Sequence, residues 1–372
     1  MNFDSPQQLV DAFRHGQMVV LVDDDDERLG GVLMAVAETI DAAQVNFMAR
    51  HARGLICLAL TPARCAQLAL PPMVSEAASA QASRFTVSIE AAEGIATGIS
   101  AADRAHTVRT AVARGAQPRD LVQPGHIFPL RAEPGGVLKR AGHTEGGCDL
   151  ARLAGFEPAA LLAEVLNDDG TLATGARLAD FARNHGLPVG TIAGLIQFRL
   201  LHEATVQALR EGDVSTAFGG FRLHVFREAD STAVHLALSR GVIDAAQPTL
   251  VRVHVGAALR DLLWTDVPGH ARNWNPARCL ERIDREGRGV LVLLEQREDP
   301  AHLLASVETA LRGRAAGESS PPRLGNTYSL VGVGSQILRH LGVGRMRVMG
   351  PPIRYNAISG FGLEVVEYLA FE

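Results

Sequence analysis

The sequence predicts a two-domain α/β protein, and three observations support that prediction. The chain has 372 residues, which is long enough to form two hydrophobic cores. Hydrophobic residues make up 47% and charged residues 21%, values typical of globular proteins without long disordered spans. Short apolar runs rich in β-branched residues also alternate with stretches of helical periodicity, a pattern that indicates buried strands between helices.

The first half of the chain begins with a predicted helix at residues 6–16, capped by Ser5 and started by Pro6. MVVLV at 18–22 and GLICLAL at 54–60 are typical of buried strands, and a helix is expected between them at 39–51. The following segments predict strands at 85–91 and 160–166 and helices at 101–113 and 178–184.

The second half predicts a hairpin, FGGFRLHVFRE followed by STAVHLALSRG, and then strands at LVRVHVG, GRGVLVLLEQ, 345–349 and 362–371. Helices are expected at 276–286 and 335–341. Residues 204–216 separate the two halves and are expected to form a linker, so that the domains span 1–203 and 217–372.

Charge and composition exclude several classes of partner. A net charge of −5 and a pI near 6.2 argue against nucleic-acid binding through a basic surface. The sequence contains neither a signal peptide nor an apolar run approaching the roughly 20 residues of a membrane helix. The four cysteines lack zinc-site spacing. We therefore expect a cytoplasmic protein without a nucleic-acid, membrane or zinc partner.

An acidic loop follows the first predicted strand, from Asp23 through Glu27 to Gly31. Acidic side chains just past a buried strand are where α/β proteins place metal and substrate ligands. A solvated acidic turn explains the same composition equally well, so both interpretations remain open.

The densest concentration of chemical groups lies at residues 124–145, PGHIFPLRAEPGGVLKRAGHTE. His126 and His143 each follow a glycine, and Arg140 lies three residues before His143 and four before Thr144. An arginine beside a hydroxyl suits a phosphate or carboxylate, and glycine permits close approach of the backbone to a ligand. The cluster predicts a ligand-binding site without specifying a reaction.

Two further residues stand inside predicted strands. Glu164 interrupts the apolar run LLAEVLN, where a carboxylate requires either a partner or an edge position facing water. Cys57 lies within GLICLAL and, from its position alone, is best interpreted as a small core residue.

The first domain resembles 3,4-dihydroxy-2-butanone-4-phosphate synthase, the riboflavin-pathway lyase that acts on ribulose 5-phosphate. The resemblance covers residues 3–203 and rests on HARGLICLALT, FTVSIEA, TGISAADRAHTVR, QPGHIFPLRA, GGVLKRAGHTE and NDDGTLA, in the family's order. It implies an α/β homodimer whose active site lies near the subunit interface, a sugar-phosphate substrate, and Mg²⁺ or Mn²⁺ as cofactor.

The resemblance also implies roles for individual residues. Cys57, His126 and Glu164 match catalytic positions, Arg140, Thr144 and Asp23 match substrate-binding positions, and His143 matches a metal ligand. In the acidic loop, Arg28 occupies the family's metal-binding carboxylate position, Glu27 occupies an arginine position, and Gly30 and Val32 replace two acidic residues. A slip of one residue would bring Glu27 to the metal.

The second domain resembles GTP cyclohydrolase II through FGGFRLHVF, LVRVHVG, EGRGVLVLLEQ, VGSQILRHLGV and FGLEV. Three zinc cysteines follow LVRVH in that family, whereas this chain has only Cys279, several residues beyond the expected pair. Zinc is what would activate water for ring opening, so GTP cyclohydrolase activity is not expected.

The sequence therefore favours a divergent synthase that binds a sugar phosphate with weak or no lyase activity, attached to a catalytically silent cyclohydrolase-like domain. An active lyase with a rebuilt acidic loop is the second hypothesis. The third is a dimeric scaffold or regulator of flavin synthesis that binds no small molecule productively.

Overall fold

The computed structural model describes residues 3–23, 30–74, 84–229, 233–256, 261, 274–295, 324–350 and 362–371, with only the backbone described at 324–329. The chain divides into two compact units, Met1–Arg199 (unit 1) and Leu200–Glu372 (unit 2). Each unit contains a mixed sheet flanked by helices, which confirms the predicted two-domain α/β class.

Unit 1 contains helices and strands that alternate along the chain. Its strands are β1 Val19–Val22, β2 Gly31–Val36, β3 Cys57–Leu60, β4 Ile89–Ala91, β5 Leu121–Arg131, β6 Ala160–Glu164 and β7 Val189–Thr191. Its helices are α1 Pro6–Arg14, α2 Ala42–Phe47, α3 Pro62–Gln67, α4 Ala101–Val112, α5 His143–Ala154, α6 Gly175–His185 and α7 Ile192–His202, the last crossing into unit 2.

The described strands of unit 1 form one seven-stranded sheet in the order β4-β5-β3-β6-β2-β1-β7. Strands β3 and β5 are parallel, as are β1 and β7, whereas β6 is antiparallel to both of its neighbours. The predicted apolar runs become buried strands: every residue of β2 and β3 is buried. One large apolar cluster joins this sheet to the surrounding helices.

Helix α5 is the most deeply buried helix segment near the sheet, and it packs against β1, β2, β3 and β6. Its two adjacent glycines make this close packing sterically feasible. A Cβ at Gly146 would lie 2.5 Å from Leu21 Cδ2, and one at Gly147 would lie 3.0 Å from the Ala160 Cβ. Glycine at these positions therefore sets how near the helix start comes to the strand ends.

Unit 2 contains strands β8 Val206–Thr216, β9 Gly219–Glu228, β10 Val234–Arg240, β11 Pro248–Val255, β12 Gly289–Leu294, β13 Arg345–Met349 and β14 Glu364–Leu369. Its described helices are α8 Pro276–Glu286 and α9 Leu324–His340. Among the described residues the strands form a seven-stranded sheet, β14-β13-β11-β12-β10-β9-β8. The hairpin predicted from FGGFRLHVFRE and STAVHLALSRG is the antiparallel pair β9 and β10.

Three sequence interpretations need correction. The segment 204–216, expected as a linker, is largely strand β8, paired along its length with β9. The stretch 124–145, whose turn residues suggested a loop, begins inside strand β5 and ends inside helix α5. Glu164 was considered for an edge strand, but β6 lies between β3 and β2, and Glu164 is exposed because it ends that strand.

A search of the described helices found none both long and apolar enough to cross a membrane.

A buried ion pair ties α7 to α5 within unit 1. Arg199 Nη1 lies 2.9 Å from Asp149 Oδ2, and the two side chains are 3% and 7% exposed. The same carboxylate oxygen accepts a hydrogen bond from the Val137 backbone N–H at 2.8 Å, and Arg199 also donates to the Gly135 carbonyl. The pair therefore fixes the turn that precedes Arg140.

We predict that Arg199→Met destabilises unit 1 by about 3–5 kcal/mol, because it leaves the Asp149 carboxylate buried without its guanidinium partner. Burial already raises the pKa of Asp149, and Arg199 opposes that rise. The loss should therefore shrink as the pH falls and the carboxyl group binds a proton. Hydrogen exchange at the amides of α5 measures the stability of unit 1 specifically.

The matched control is Arg183→Met, which removes an exposed ion pair with Asp180, whose side chains are 73% and 60% exposed. Exposed pairs contribute about 0–1 kcal/mol, so this variant should exchange like the wild type. Equal losses in the two variants would show that the buried pair has no special role.

Candidate functional site

The residues predicted for catalysis lie along one end of the unit 1 sheet. Glu164 on β6 pairs with Val32 on β2, and Val32 pairs with Leu21 on β1. Cys57 on β3 pairs with Leu162 on β6 and with Phe128 on β5. Glu164 and His126 each lie two residues from these partners, so they flank the residues that precede β3, one from each neighbouring strand. Because directly paired residues share a face, Cys57, Glu164 and Leu21 face α5.

His126 is paired with a carboxylate that the sequence analysis did not single out. Its Nδ1 hydrogen-bonds to Glu90 Oε1, which belongs to β4. The histidine side chain is 43% exposed and the glutamate side chain 14% exposed. A carboxylate on Nδ1 fixes the tautomer that leaves Nε2 free to exchange protons with a ligand. The signal in the sequence was the single acidic residue in FTVSIEA.

The Glu90 carboxylate is accommodated by a glycine. Gly98 has φ +78°, and a Cβ there would lie 1.5 Å from Glu90 Oε1. Only a residue without a side chain lets the 94–100 loop pass this close to the carboxylate. Asp103 holds the same loop, since its carboxylate accepts from the Gly98 N–H at 3.0 Å.

Cys57 lies on the same face of the sheet as Glu164, but its side chain is not a thiolate. Its side chain is buried, and burial together with the negative charge of Glu164 raises its pKa to about 12. The thiol is therefore protonated near neutral pH. It can supply shape and a weak donor beside Glu164, but not a nucleophile.

His143 begins helix α5 and is oriented by the end of β1. The histidine hydrogen-bonds to the Leu21 carbonyl, and burial lowers its pKa, an effect that the Asp23 carboxylate partly opposes. Its Nε2 is buried and has no hydrogen-bond partner among the described residues. Metal-binding histidines usually donate their second ring nitrogen to a carbonyl or carboxylate. A neutral imidazole held in this way fits the metal-ligand role that the resemblance implies.

Arg140 and Thr144 flank His143 at the start of α5. The Arg140 side chain is 45% exposed, and its Nη1 lies 3.4 Å from Glu145 Oε1. Glu145 is fully buried and also accepts a hydrogen bond from the Glu133 N–H at 2.8 Å. Thr144 is 8% exposed. The first turn of a helix presents free N–H groups and a partial positive charge, which attract an anion.

The acidic loop is described only at its two ends. Glu27 and Arg28 lie outside the described residues, so the proposed shift of Glu27 towards His143 stays a prediction. The negative charge of Asp23 acts to raise the pKa of His143. Val32 is buried directly opposite Glu164. Within the described part of the chain, no three His, Cys, Asp or Glu side chains come together as a metal site.

In unit 2, Cys279 is part of the hydrophobic core. Its side chain has no exposed surface and packs on α8 with Leu280, Ile283 and their neighbours. Burial raises its pKa to about 12. The LVRVH strand is β11, where His254 Nε2 lies 2.8 Å from Asp261 Oδ2. Most of the segment that matches the cysteine-bearing region, 257–273, lies outside the described residues.

We predict that none of the four cysteines reacts quickly with Ellman's reagent at pH 8 in the native protein. All four are buried, and burial raises the pKa of each thiol. Four equivalents should react once guanidinium unfolds the chain, which serves as the control. Fast modification of Cys57 before unfolding, identified by peptide mapping, would contradict the buried, protonated thiol.

Comparison with known proteins matches both units. The family model for 3,4-dihydroxy-2-butanone 4-phosphate synthase matches residues 7–198, and the model for GTP cyclohydrolase II matches residues 207–370. A protein of Pseudomonas aeruginosa PAO1 named 3,4-dihydroxy-2-butanone 4-phosphate synthase is 49% identical over 372 residues, covering all of both chains.

Two solved structures are also similar. A two-domain 3,4-dihydroxy-2-butanone 4-phosphate synthase from A. baumannii is 44% identical with a TM-score of 0.81, covering 99% of this chain and all of that one. A 3,4-dihydroxy-2-butanone 4-phosphate synthase in complex with two magnesium ions is 41% identical with a TM-score of 0.50, covering 53% of this chain and 96% of that one. The chain therefore belongs to the 3,4-dihydroxy-2-butanone 4-phosphate synthase family, in the form that carries a second domain of the GTP cyclohydrolase II family.

Proposed function

We propose that unit 1 binds ribulose 5-phosphate or a closely related sugar phosphate and has weak or no lyase activity. The observation that carries this proposal is the contrast within one site. The start of α5 keeps Arg140, His143 and Thr144 together, whereas the facing β2 position holds the apolar Val32 opposite Glu164.

Phosphate recognition is supported by three features at the same helix end. Arg140 is half-exposed and offers a planar guanidinium, which suits a phosphate. Thr144 adds a hydroxyl, and the first turn of α5 adds backbone N–H groups. Glu145 limits how far the guanidinium can move, because it is fully buried and accepts hydrogen bonds from both Arg140 and Glu133.

The remaining acid–base groups lie at the same end of the sheet. Enolisation of a ketose phosphate needs a base at one carbon and an acid near the developing oxyanion. His126, oriented by Glu90, and the exposed carboxylate of Glu164 are candidates for these proton transfers. Cys57 contributes a protonated thiol beside Glu164.

The metal-binding side is proposed to be weakened. Mg²⁺ or Mn²⁺ would bind His143 through its unpartnered Nε2 and, when bound, would stabilise the enediolate charge. These ions prefer carboxylate oxygens, and the loop has Arg28, Gly30 and Val32 where the family has acidic residues. A guanidinium in place of a ligand repels the ion. Asp23 remains the described carboxylate whose charge acts on the pKa of His143.

Unit 2 is proposed not to open the GTP ring. Cys279 is enclosed in the core with a raised pKa, so it does not supply a zinc thiolate without unfolding α8 from the sheet. The unit would then support or regulate flavin synthesis, either by binding a partner or by catalysing a separate reaction.

An active lyase is the second candidate, and one observation favours it. The Pseudomonas aeruginosa relative is named a synthase and aligns with the whole length of this chain. The two-domain structure from A. baumannii is also named a synthase and covers 99% of this chain. In this hypothesis Glu27 replaces the missing carboxylate after a shift of the loop. A dimeric scaffold without productive ligand binding is the third candidate.

A homodimer is proposed on the side of the site that carries His126. Leu55, Ile99 and Val122 expose 55%, 54% and 46% of their surface, and each belongs to a segment that adjoins the Glu90 and His126 pair. Exposed apolar side chains grouped around a polar pair are typical of an interface. A second copy covering them would complete the enclosure of the site.

We predict that ribulose 5-phosphate raises the melting temperature of the wild-type protein by several degrees. Ligand at about 100 times its dissociation constant stabilises the native state by about 2.7 kcal/mol. Arg140→Met should abolish most of that shift, since the phosphate loses its guanidinium. The control is Arg152→Met, at the other end of α5, where the arginine side chain is 43% exposed; it should keep the shift. No shift in the wild type at millimolar ligand would support the scaffold hypothesis.

We predict that formate release from ribulose 5-phosphate with Mg²⁺ is slow in the wild type. It should rise at least about tenfold when the family's residues are restored in the acidic segment: the carboxylates by Arg28→Glu, Gly30→Glu and Val32→Asp, and the arginine by Glu27→Arg, all together. A tenfold change corresponds to about 1.4 kcal/mol of transition-state stabilisation. The control adds His143→Ala to the restored protein and should remove the gain. Wild-type turnover equal to that of an ordinary synthase, measured in parallel, would overturn the weak-lyase proposal and support the active one.

A further inference from the structure

Unit 2 contains a cavity of about 400 Å³ at one end of its sheet. Its lining includes Asp213, Ser215, Arg222, Ser239 and Arg240, from strands β8, β9 and β10. Arg240 lies level with the first residues of β11, because it pairs with Gly289, which pairs with Leu250. The cavity is therefore at the opposite end of the sheet from His254, which lies near the end of β11.

Strand register brings three polar side chains together beside this cavity. Glu211 on β8 pairs with His224 on β9, which pairs with Ala237 on β10. Ser239 lies two residues after Ala237 and so shares its face. Their neighbours Leu223 and Leu238 point the other way, into the core beneath α8. Glu211, His224 and Ser239 thus form a diagonal on one face of the sheet.

The three side chains are linked by hydrogen bonds in series. His224 Nε2 lies 2.9 Å from Ser239 Oγ, and His224 Nδ1 lies 3.3 Å from Glu211 Oε2. The histidine and serine are 9% and 8% exposed. A hydroxyl bonded to an imidazole, which is bonded in turn to a carboxylate, is the arrangement that activates a serine nucleophile on several unrelated folds.

The charges around His224 favour its neutral form. Burial lowers its pKa; Glu211 opposes that effect, while Arg222 and His340 reinforce it. Glu211 also accepts a hydrogen bond from Arg222, which holds the carboxylate in place. A neutral ring whose Nδ1–H faces Glu211 leaves the Nε2 lone pair directed at the Ser239 hydroxyl.

We propose that Ser239 is an activated nucleophile and that unit 2 hydrolyses small carboxylic esters in this cavity. Ser239 Oγ forms a bond to the ester carbonyl carbon while its proton passes to His224 Nε2. The carbon–oxygen bond to the alcohol then breaks, and the alcohol leaves with that proton. A water molecule next adds to the acyl-serine and gives its proton to His224. The bond between the acyl carbon and Ser239 Oγ then breaks, the acid departs, and Ser239 Oγ takes back a proton from His224.

The cavity lining indicates a small ester without net charge. Arg222 and Arg240 line it, but Arg222 is paired with Glu211 and Asp213, and Arg240 is paired with Asp284. These opposed charges give no net attraction for an anion. The cavity is open to solvent, and its volume of about 400 Å³ is at the lower end for ligand pockets, which suits a small ester.

The test is labelling of the full-length protein with a small fluorophosphonate, followed by peptide mapping. Ser239 Oγ should displace fluoride from phosphorus, with its proton taken by His224. We expect modification at Ser239 and none at Ser215, which lines the same cavity without a described histidine partner and is the internal control. Ser239→Ala should abolish labelling, and His224→Gln should slow it at least about 100-fold, the usual range for a general base. Glu211→Gln should slow it about tenfold.

Hydrolysis of 4-nitrophenyl acetate should follow the same order among the variants. Labelling should be independent of pH above 7 and should slow as the pH falls through the lowered pKa of His224, because the protonated ring accepts no proton. Absence of label at Ser239 in the wild type, where folding is not in question, overturns the proposal and makes the bond to His224 structural. Equal labelling of Ser215 and Ser239 overturns it as well.

Discussion

The geometry of unit 1 depends on the close packing of α5 against the sheet. Gly146 and Gly147 let the helix approach Leu21 on β1 and Ala160 on β6, and this approach brings the helix start level with the ends of those strands. His143 then reaches the Leu21 carbonyl, where the charge of Asp23 acts on its pKa, and Arg140 and Thr144 take positions around it. A side chain at Gly146 would force either Leu21 or the helix to shift, and a shift of the helix would move His143 and its polar neighbours with it.

The same helix is held from its other side by a buried ion pair. Asp149 lies on the turn of α5 after the two glycines, and through Arg199 and Val137 it fixes the 135–137 segment that leads to Arg140. A buried pair is weak as a source of stability but defines geometry well, since either charge alone is costly. The residues proposed to bind phosphate are thus positioned from both ends, by strand β1 at His143 and by the Asp149 pair behind Arg140.

The sequence predicted what depends on local pattern and missed what depends on register. Apolar periodicity located most strands and helices, and the concentration of histidine, arginine and glycine located the residues from 124 to 145. The proline and glycine residues in that stretch predicted turns, although the stretch is a strand followed by a helix. Proline and glycine are local turn signals, and they do not show which strands will pair with the segment. Glu90 beside His126, Val32 opposite Glu164, and Glu211, His224 and Ser239 in series are all cross-strand relations. No spacing along the chain encodes these, since each depends on which strands pair and in what alignment.

The position of Val32 bears on how the proposed loss of catalytic groups would affect the stability of the fold. A carboxylate there would stand directly across from Glu164, and two like charges facing each other on paired strands destabilise a sheet. A bound cation or substrate compensates for that repulsion in an active enzyme. Once binding of the metal is weakened, as Arg28 in the loop would do, an apolar residue is the more stable choice at this buried position, where Val32 is 6% exposed. Active sites store strain of this kind, and removing it stabilises the protein at the expense of activity. The proposed loss of the loop carboxylates is therefore compatible with a stable sheet, because Val32 removes the like-charge repulsion at the position across from Glu164.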